Sequence, residues 1–209
     1  MILKMHEKNP SERKLETIVD ILKKGGVIIY PTDTMYGIAC DIYNPEGREK
    51  LAKMKGIKSS EAKFSFICKD ISDISEYTRP ISNPVFKMMK KVLPGPYTFL
   101  LTANNKVPRQ IQDKKKTVGI RIPDNNVARA IVKKLGNPLM STSLPLKDGD
   151  GQEYLTNPEL IHERYKNQVD AVVDGGTGEL SQSTIIDCTN EENYVIREGK
   201  GEIKSLLNR

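Results

Sequence analysis

At 209 residues, with 37% hydrophobic and 29% charged side chains, the chain has an ordinary globular composition and can hold a core without disulfides or metal. No apolar run approaches the roughly 18 residues of a membrane helix, and the start Met1-Ile2-Leu3-Lys4-Met5-His6 lacks the apolar stretch and cleavage site of a secretory signal. Three cysteines, Cys40, Cys68 and Cys188, odd in number and far apart, argue for reduced thiols in a cytoplasmic protein, and a net charge of +6 argues for an anionic partner.

Ser11 precedes an amphipathic run with Leu15, Ile18, Val19 and Leu22 at helical spacing, and Gly25-Gly26 stops it. Val27-Ile28-Ile29-Tyr30 reads as a short strand buried on both faces. Asn44-Pro45 is an N-cap followed by proline at the first helical position, opening a helix to about Lys55. Phe64 to Cys68 is the next strand. Asn83-Pro84 repeats the cap signal before a helix with Val85, Met88, Met89 and Val92, which Pro94-Gly95-Pro96 ends.

Tyr97 to Leu101 and Val118 to Ile122 follow as strands. Asp124 or Asn125 caps a helix carrying Val127, Ala130, Ile131 and Leu135, with Gly136 at its C-terminal stop. Leu139 to Thr142 is a strand, Asn157-Pro158 starts a helix, and strands at Ala171–Asp174, Thr184–Asp187 and Tyr194–Arg197 close the pattern. With no repeat or linker, this alternation predicts a single α/β domain over 1–209, a mostly parallel or mixed sheet between helices. The loops at 102–117 and 144–156 are the longest and the expected mobile flaps.

Several chemistries are not supplied. Only His6 and His162 are present, the latter on an expected exposed helix face, and no cysteines are close, so no protein-ligated metal is expected. There is no Walker A sequence, and Gly175-Gly176-Thr177-Gly178 lacks dinucleotide spacing and reads as a turn. Tryptophan is absent, which leaves few stacking platforms for single-stranded nucleic acid. Lys23-Lys24, Lys90-Lys91 and Lys133-Lys134 read as solvated helix faces, whereas the loop run Lys114-Lys115-Lys116 is dense enough to meet RNA.

The remaining candidates fall at strand ends, where open α/β sheets bind ligands. Pro31-Thr32-Asp33-Thr34 packs two hydroxyls and a carboxylate into four residues, as a functional loop or as a self-capping turn. Alternation in Val118-Gly119-Ile120-Arg121-Ile122 puts Gly119 and Arg121 on one face. A guanidinium beside a glycine admits close approach by an anion, either a ligand phosphate or a carboxylate of the protein itself. Arg197 invites the same reading, and Ser141-Thr142-Ser143 and Ser183-Thr184 supply small hydroxyl donors.

Taken in order, Gly25-Gly26-Val27-Ile28-Ile29-Tyr30-Pro31-Thr32-Asp33-Thr34-Met35-Tyr36-Gly37, Pro94-Gly95-Pro96-Tyr97-Thr98, Gly119-Ile120-Arg121-Ile122-Pro123, Pro138-Leu139-Met140-Ser141-Thr142-Ser143, Ser183-Thr184-Ile185-Ile186-Asp187 and Arg197-Glu198-Gly199 resemble the YrdC/YciO family, the threonylcarbamoyl-AMP synthases and their relatives. The resemblance implies a twisted open mixed sheet with flanking helices enclosing a basic cavity. It implies a reaction of threonine, bicarbonate and Mg-ATP, the magnesium carried by the nucleotide, giving threonylcarbamoyl-AMP for tRNA modification. On this resemblance Thr32 and Tyr36 would face threonine, Lys55 and Arg121 would be catalytic, and Ser141, Ser143, Thr184 and Arg197 would contact the nucleotide.

Two departures place the chain nearer the YciO-like branch. The family's Lys-x-Arg is Lys55-Gly56-Ile57 here, with Lys58 and Lys63 as imperfect substitutes, and its Ser-x-Asn is Ser143-Leu144-Pro145. Slowed catalysis is one expectation; a tRNA or double-stranded RNA binder without efficient catalysis is the alternative.

Overall fold

The computed structural model describes residues 1–56, 64–108, 116–145 and 151–207. In chain order these form β1 (Ile2–Lys4), α1 (Glu12–Lys23), β2 (Ile28–Tyr30), β3 (Gly37–Asp41), α2 (Pro45–Met54), β4 (Ser65–Ile67) and, after a 3-10 turn at Ile71–Asp73, α3 (Ile74–Tyr77). There follow α4 (Asn83–Val92), β5 (Tyr97–Thr102), β6 (Thr117–Arg121), α5 (Asn126–Leu135), β7 (Leu139–Ser143), α6 (Glu153–Thr156), α7 (Pro158–Tyr165), β8 (Ala171–Asp174), β9 (Thr184–Asp187), β10 (Tyr194–Arg197) and α8 (Lys204–Leu207).

Asparagine side chains cap three of the helix starts. The Asn44 side chain accepts from the N–H groups of Glu46 and Gly47, Asn125 from that of Ala128, and Asn157 from those of Glu159 and Leu160. Asn125, rather than Asp124, is therefore the cap of α5. In α4 the cap position falls on Ser82 and not on Asn83, and neither Ser82 nor Ser11 makes a side-chain cap bond.

One sheet of ten strands runs in the order β1-β8-β2-β3-β7-β4-β6-β5-β9-β10. The pairs β1–β8, β8–β2, β4–β6 and β5–β9 are parallel and the rest antiparallel, so the sheet is mixed. Strands β1 and β3 are absent from the sequence reading. β3 carries Gly-Ile-Ala-Cys-Asp, in which no alternation marks a strand because every residue is buried.

Paired residues share a face, so the register sorts the sheet into two surfaces. On one, Ile29, Ile38, Met140, Phe66, Ile120 and Phe99 pack into the larger core with Leu51 of α2, Tyr77 of α3, Met89 of α4 and Ile161 of α7. On the other, Ile28, Ala39, Leu139, Ala171 and Val173 lie beneath α1 and α5, which pack together. That second cover stops short. Beyond it the same face presents Ser65, Ser141, Ser143, Thr98 and Arg121, a polar stretch in the middle of a sheet.

The caps make a direct comparison. Asn125→Ala should cost about 1–2 kcal/mol, because it strands the buried N–H of Ala128, whereas Ser11→Ala should cost less than about 0.5 kcal/mol, having no side-chain bond to lose. Urea denaturation of the two variants beside the parent chain measures both.

Candidate functional site

The uncovered stretch of the sheet floors a cavity of about 240 Å³. Tyr30 and Gly37 come from β2 and β3, Ser65 and Ile67 from β4, Thr98 from β5, Arg121 from β6, and Ser141 and Ser143 from β7. Ser183, Ile185 and Arg197 close it from the β9–β10 side, and Lys55 enters from the end of α2. A second cavity of about 280 Å³ lies around the C-terminal end of β7, walled by Leu51 and Met54 of α2, Leu144, Pro145 and Gln182. The two share Lys55, Thr142, Ser143 and Arg197. Each volume is a little below the roughly 300–1,000 Å³ of a small-molecule site, and the two cavities adjoin.

Three cations converge on this space. Lys55 donates from Nζ to Thr142 Oγ1 at 2.9 Å, and the ammonium lies 5.3 Å above the Phe64 ring. Partial burial pulls its pKa below the ordinary lysine value. Arg197 donates through Nε and Nη2 to the carbonyl of Ser183, at 3.2 and 2.9 Å. Its pKa is lowered first by burial and then by the charge of Arg121 nearby.

Arg121 is the most constrained of the three. Its Nη2 lies 2.5 Å from Asp33 Oδ1, 2.8 Å from Thr34 Oγ1 and 3.2 Å from Thr32 Oγ1, and both partners of the ion pair are more than nine-tenths buried. Asp33 Oδ2 and Arg121 Nε remain buried without a hydrogen-bond partner. The loop from Pro31 to Met35 is thereby fixed against β6. It is also held from behind, since the Met35 N–H donates to Ser181 and Lys200 Nζ donates to the Asp33 carbonyl at 2.7 Å and to Glu179 at 2.6 Å.

Not every candidate read from the sequence reaches the cavity. Ser141, Ser143, Lys55, Arg121 and Arg197 line it. Thr32 does not: its hydroxyl donates to the Met35 carbonyl at 2.8 Å and accepts from the Thr34 N–H, which makes it the pivot of a turn. Tyr36 is fully buried in the larger core, and its hydroxyl donates to the Gly176 carbonyl at 2.6 Å. A Cβ at Gly178 would stand 2.6 Å from the Tyr36 ring, which accounts for that glycine cluster without any ligand. Thr184 faces the core as well, donating to the Gly201 carbonyl at 2.6 Å. Its neighbour Ser183 takes the place in the lining and exchanges a hydrogen bond with Thr98 at 2.9 Å.

The strand-end expectation fits Ser143, Arg121 and Arg197, the last residues of β7, β6 and β10, whereas Ser65, Thr98 and Ser141 line the cavity from a sheet face. Gly119 is not in the lining; the close approach there is by Ser65, whose Oγ would stand 3.0 Å from an added Cβ. Tyr30, Ser65 and Thr98 line the cavity although the sequence reading gave them no role, while Thr142 and Ser183, read there as hydroxyl donors, line it as well. The single polar residue in Tyr97-Thr98-Phe99, directly opposite Arg121 in the register, is the signal that marks Thr98. Tyr30 exchanges a hydrogen bond with Ser141 at 2.7 Å, and burial raises its pKa to about 12, so it stays a neutral hydroxyl.

Cys40 and Cys68 are buried free thiols and Cys188 is half-buried, while His162 is half-buried rather than exposed. Among the described residues no helix is long and apolar enough to cross a membrane. Ile57, Lys58, Lys63, Lys114 and Lys115, and parts of both long loops, lie outside the described residues.

The family described as Telomere recombination, comprising Sua5, YciO and YrdC, matches residues 20–199. YciO of Escherichia coli K12, an uncharacterised protein, is 38% identical over 204 residues, 97% of either chain. Its crystal structure superposes with a TM-score of 0.90 over 99% of both. A threonylcarbamoyl-AMP synthase of Coxiella burnetii is 25% identical over 174 residues, 83% of this chain and 91% of that one. Sua5 of P. abyssi, solved with L-threonine, shares the fold at a TM-score of 0.85 and 21% identity, over 95% of this chain and 57% of that one.

The Arg121–Asp33 pair is open to test. Asp33→Ala should destabilise the fold by about 3 kcal/mol by leaving a buried guanidinium without its carboxylate, and Asp33→Ala with Arg121→Met should cost less than the two single changes added together. A double-mutant cycle in urea gives the coupling directly.

Proposed function

The chain belongs to the Sua5/YciO/YrdC family, and from that premise we propose that it binds Mg-ATP beside L-threonine and joins them through bicarbonate as a slow threonylcarbamoyl-AMP synthase. The observation that carries this reading is the pair of adjoining cavities with Lys55, Thr142, Ser143 and Arg197 at their junction. Two substrates held on either side of one cationic boundary have their reacting ends directed at each other. The synthase named among its relatives and the threonine held by P. abyssi Sua5 supply the substrate class.

The chemistry asks for no enzyme nucleophile. The threonine amine attacks the carbon of bicarbonate, and loss of water leaves a carbamate. A carbamate oxygen attacks the α-phosphorus of ATP, the bond from that phosphorus to the β-phosphate oxygen breaks, and pyrophosphate leaves with its magnesium. Negative charge gathers on two approaching anions. Lys55, Arg121 and Arg197 offset it, while Ser141, Ser143, Ser183 and Thr98 provide orienting hydroxyls. Thr32, Tyr36 and Thr184 act one layer back by fixing the loop, the core and the segment leading out of β10.

Pro145 explains why the rate is low. It lines the second cavity, has no N–H to offer, and its carbonyl already accepts from Tyr165 Oη at 3.0 Å. With Ile57 in place of the family arginine, the missing transition-state contacts cost roughly 2–4 kcal/mol, or about 30- to 1,000-fold.

Incubation with Mg-ATP, L-threonine and bicarbonate should yield threonylcarbamoyl-adenylate and pyrophosphate, detected by mass spectrometry. Ile57→Arg with Pro145→Asn should raise the rate roughly 30-fold or more. Absence of adenylate, together with no synergy between ATP and threonine in thermal shift, rejects the reading. Lys55 supplies a pH signature. Its lowered pKa means the ammonium is lost earlier as pH rises, so ATP affinity should start to fall at a lower pH than the titration of an ordinary lysine would give. Lys55→Arg, which stays charged, should flatten that limb in titrations by calorimetry.

A further inference from the structure

We propose that Lys200 is a positioning residue for the cavity: it clasps the loop after β2 to the segments on either side of β9 and β10, and so fixes Arg121 relative to Arg197. The consequence for catalysis rests on the function proposed above; the consequence for the geometry does not. Three segments meet at this one residue. Its Nζ donates to the Asp33 carbonyl at 2.7 Å and to Glu179 Oε1 at 2.6 Å, while its own N–H donates to the Gln182 carbonyl at 2.8 Å.

Each segment carries part of the site. Asp33 is the carboxylate paired with Arg121, so a hold on its carbonyl is a hold on the guanidinium beside it. Gln182 and Ser183 line the two cavities, and the Ser183 carbonyl accepts both bonds from Arg197. Arg197 itself lies three residues before Lys200, on a turn pressed against the start of β9. There the Gly199 N–H donates to Thr184 Oγ1 at 2.9 Å, Thr184 donates to the Gly201 carbonyl at 2.6 Å, and a Cβ at Gly199 would collide with the Gln182 carbonyl. Lys200 is the point from which that fixed turn reaches the loop of Asp33 and Met35.

The clasp works against a repulsion. Arg121 and Arg197 are like charges on one cavity, close enough that the first lowers the pKa of the second, and Asp33 is paired with Arg121 alone. Their repulsion pushes the loop away from the β9–β10 side. The Met35 N–H donating to the Ser181 carbonyl is one backbone bond across that join, and Lys200 adds a charge-assisted bond to each side of it. Lys200 and Glu179 are 37% and 47% exposed, and an ion pair that open contributes little to the stability of a fold. Its effect falls on alignment, where a displacement of about 1 Å costs on the order of 100-fold in rate.

Hydrogen exchange of the full chain, read by mass spectrometry on peptides covering 31–37 and 197–201, tests the geometry without any substrate. Lys200→Met should speed exchange there at least tenfold or about that, with the melting temperature within about 2 °C of the parent. Lys200→Arg, which keeps the charge and can reach both partners, should restore the parent rates. Glu179→Gln, which leaves the bond to the Asp33 carbonyl in place, should fall between the two. In the adenylate assay Lys200→Met should be roughly 10- to 100-fold slower, and Lys200→Arg should recover the rate. Unchanged exchange over 31–37 in Lys200→Met overturns the proposal, as does a failure of Lys200→Arg to restore it. A parent chain that makes no adenylate rejects the proposed function instead, and the exchange result then still decides for or against the clasp.

Discussion

The structure is organised around a charge that has to be buried. Arg121 sits at the end of a central strand, on the face that α1 and α5 leave uncovered, with its guanidinium more than nine-tenths out of water. A cation in that position is tolerable only with a carboxylate and hydroxyls in contact. Asp33, Thr34 and Thr32 supply them, and all three belong to one loop. The requirement therefore fixes where the chain goes after β2. It turns back across the sheet at Pro31, hydrogen-bonds through Thr32 to Met35, and re-enters as β3.

That constraint explains why the cavity is polar at its floor while the opposite face of the same strands is apolar. The loop roofs the sheet without filling it, so Ser65, Ser141, Thr98 and Ser183 are left lining a space that larger aliphatics would have closed. A protein optimised for stability alone would not keep three cations around a hollow. Burial, and then the charge of Arg121, lower the pKa of Arg197, and Lys55 is held half-buried at a cost to its proton. These local penalties are those expected where a fold serves a bound anion.

The sequence carried the fold more fully than it carried the site. Helix starts at Asn44 and Asn157 and the strands at β2, β4, β5, β6, β7, β8, β9 and β10 follow from caps and from short apolar runs. β3 escaped because complete burial removes the alternation that marks a half-buried strand. For the site, Arg121, Arg197, Ser141 and Ser143 were legible as charges and hydroxyls beside strands, and Lys55 through the family resemblance alone. Thr32, Tyr36 and Thr184 were legible as polar residues of the right segments, but a sequence does not say which way a hydroxyl turns. Strand alternation assigns Thr184 to the core and leaves Ser183 for the cavity, and that sorting needs the register with Tyr97 and Thr98. Asp33 posed the opposite problem: it was read as a turn residue or part of a functional loop, and the turn it belongs to supplies the protein carboxylate that pairs with Arg121.

The same logic bears on β10. Arg197 reaches the junction of the two cavities from a strand that, among the described residues, pairs with β9 alone. Its two hydrogen bonds to the Ser183 carbonyl fix the guanidinium to β9, and the Gly199 N–H donating to Thr184 and the Lys200 N–H donating to Gln182 fix the chain beyond it. Everything on the inner side of β10 is tied. Among the described residues no strand pairs with the outer side, where the exposed Tyr194, Val195 and Ile196 lie. Arg197 therefore takes its aim from the bonds it makes to β9 and from the segment that follows β10.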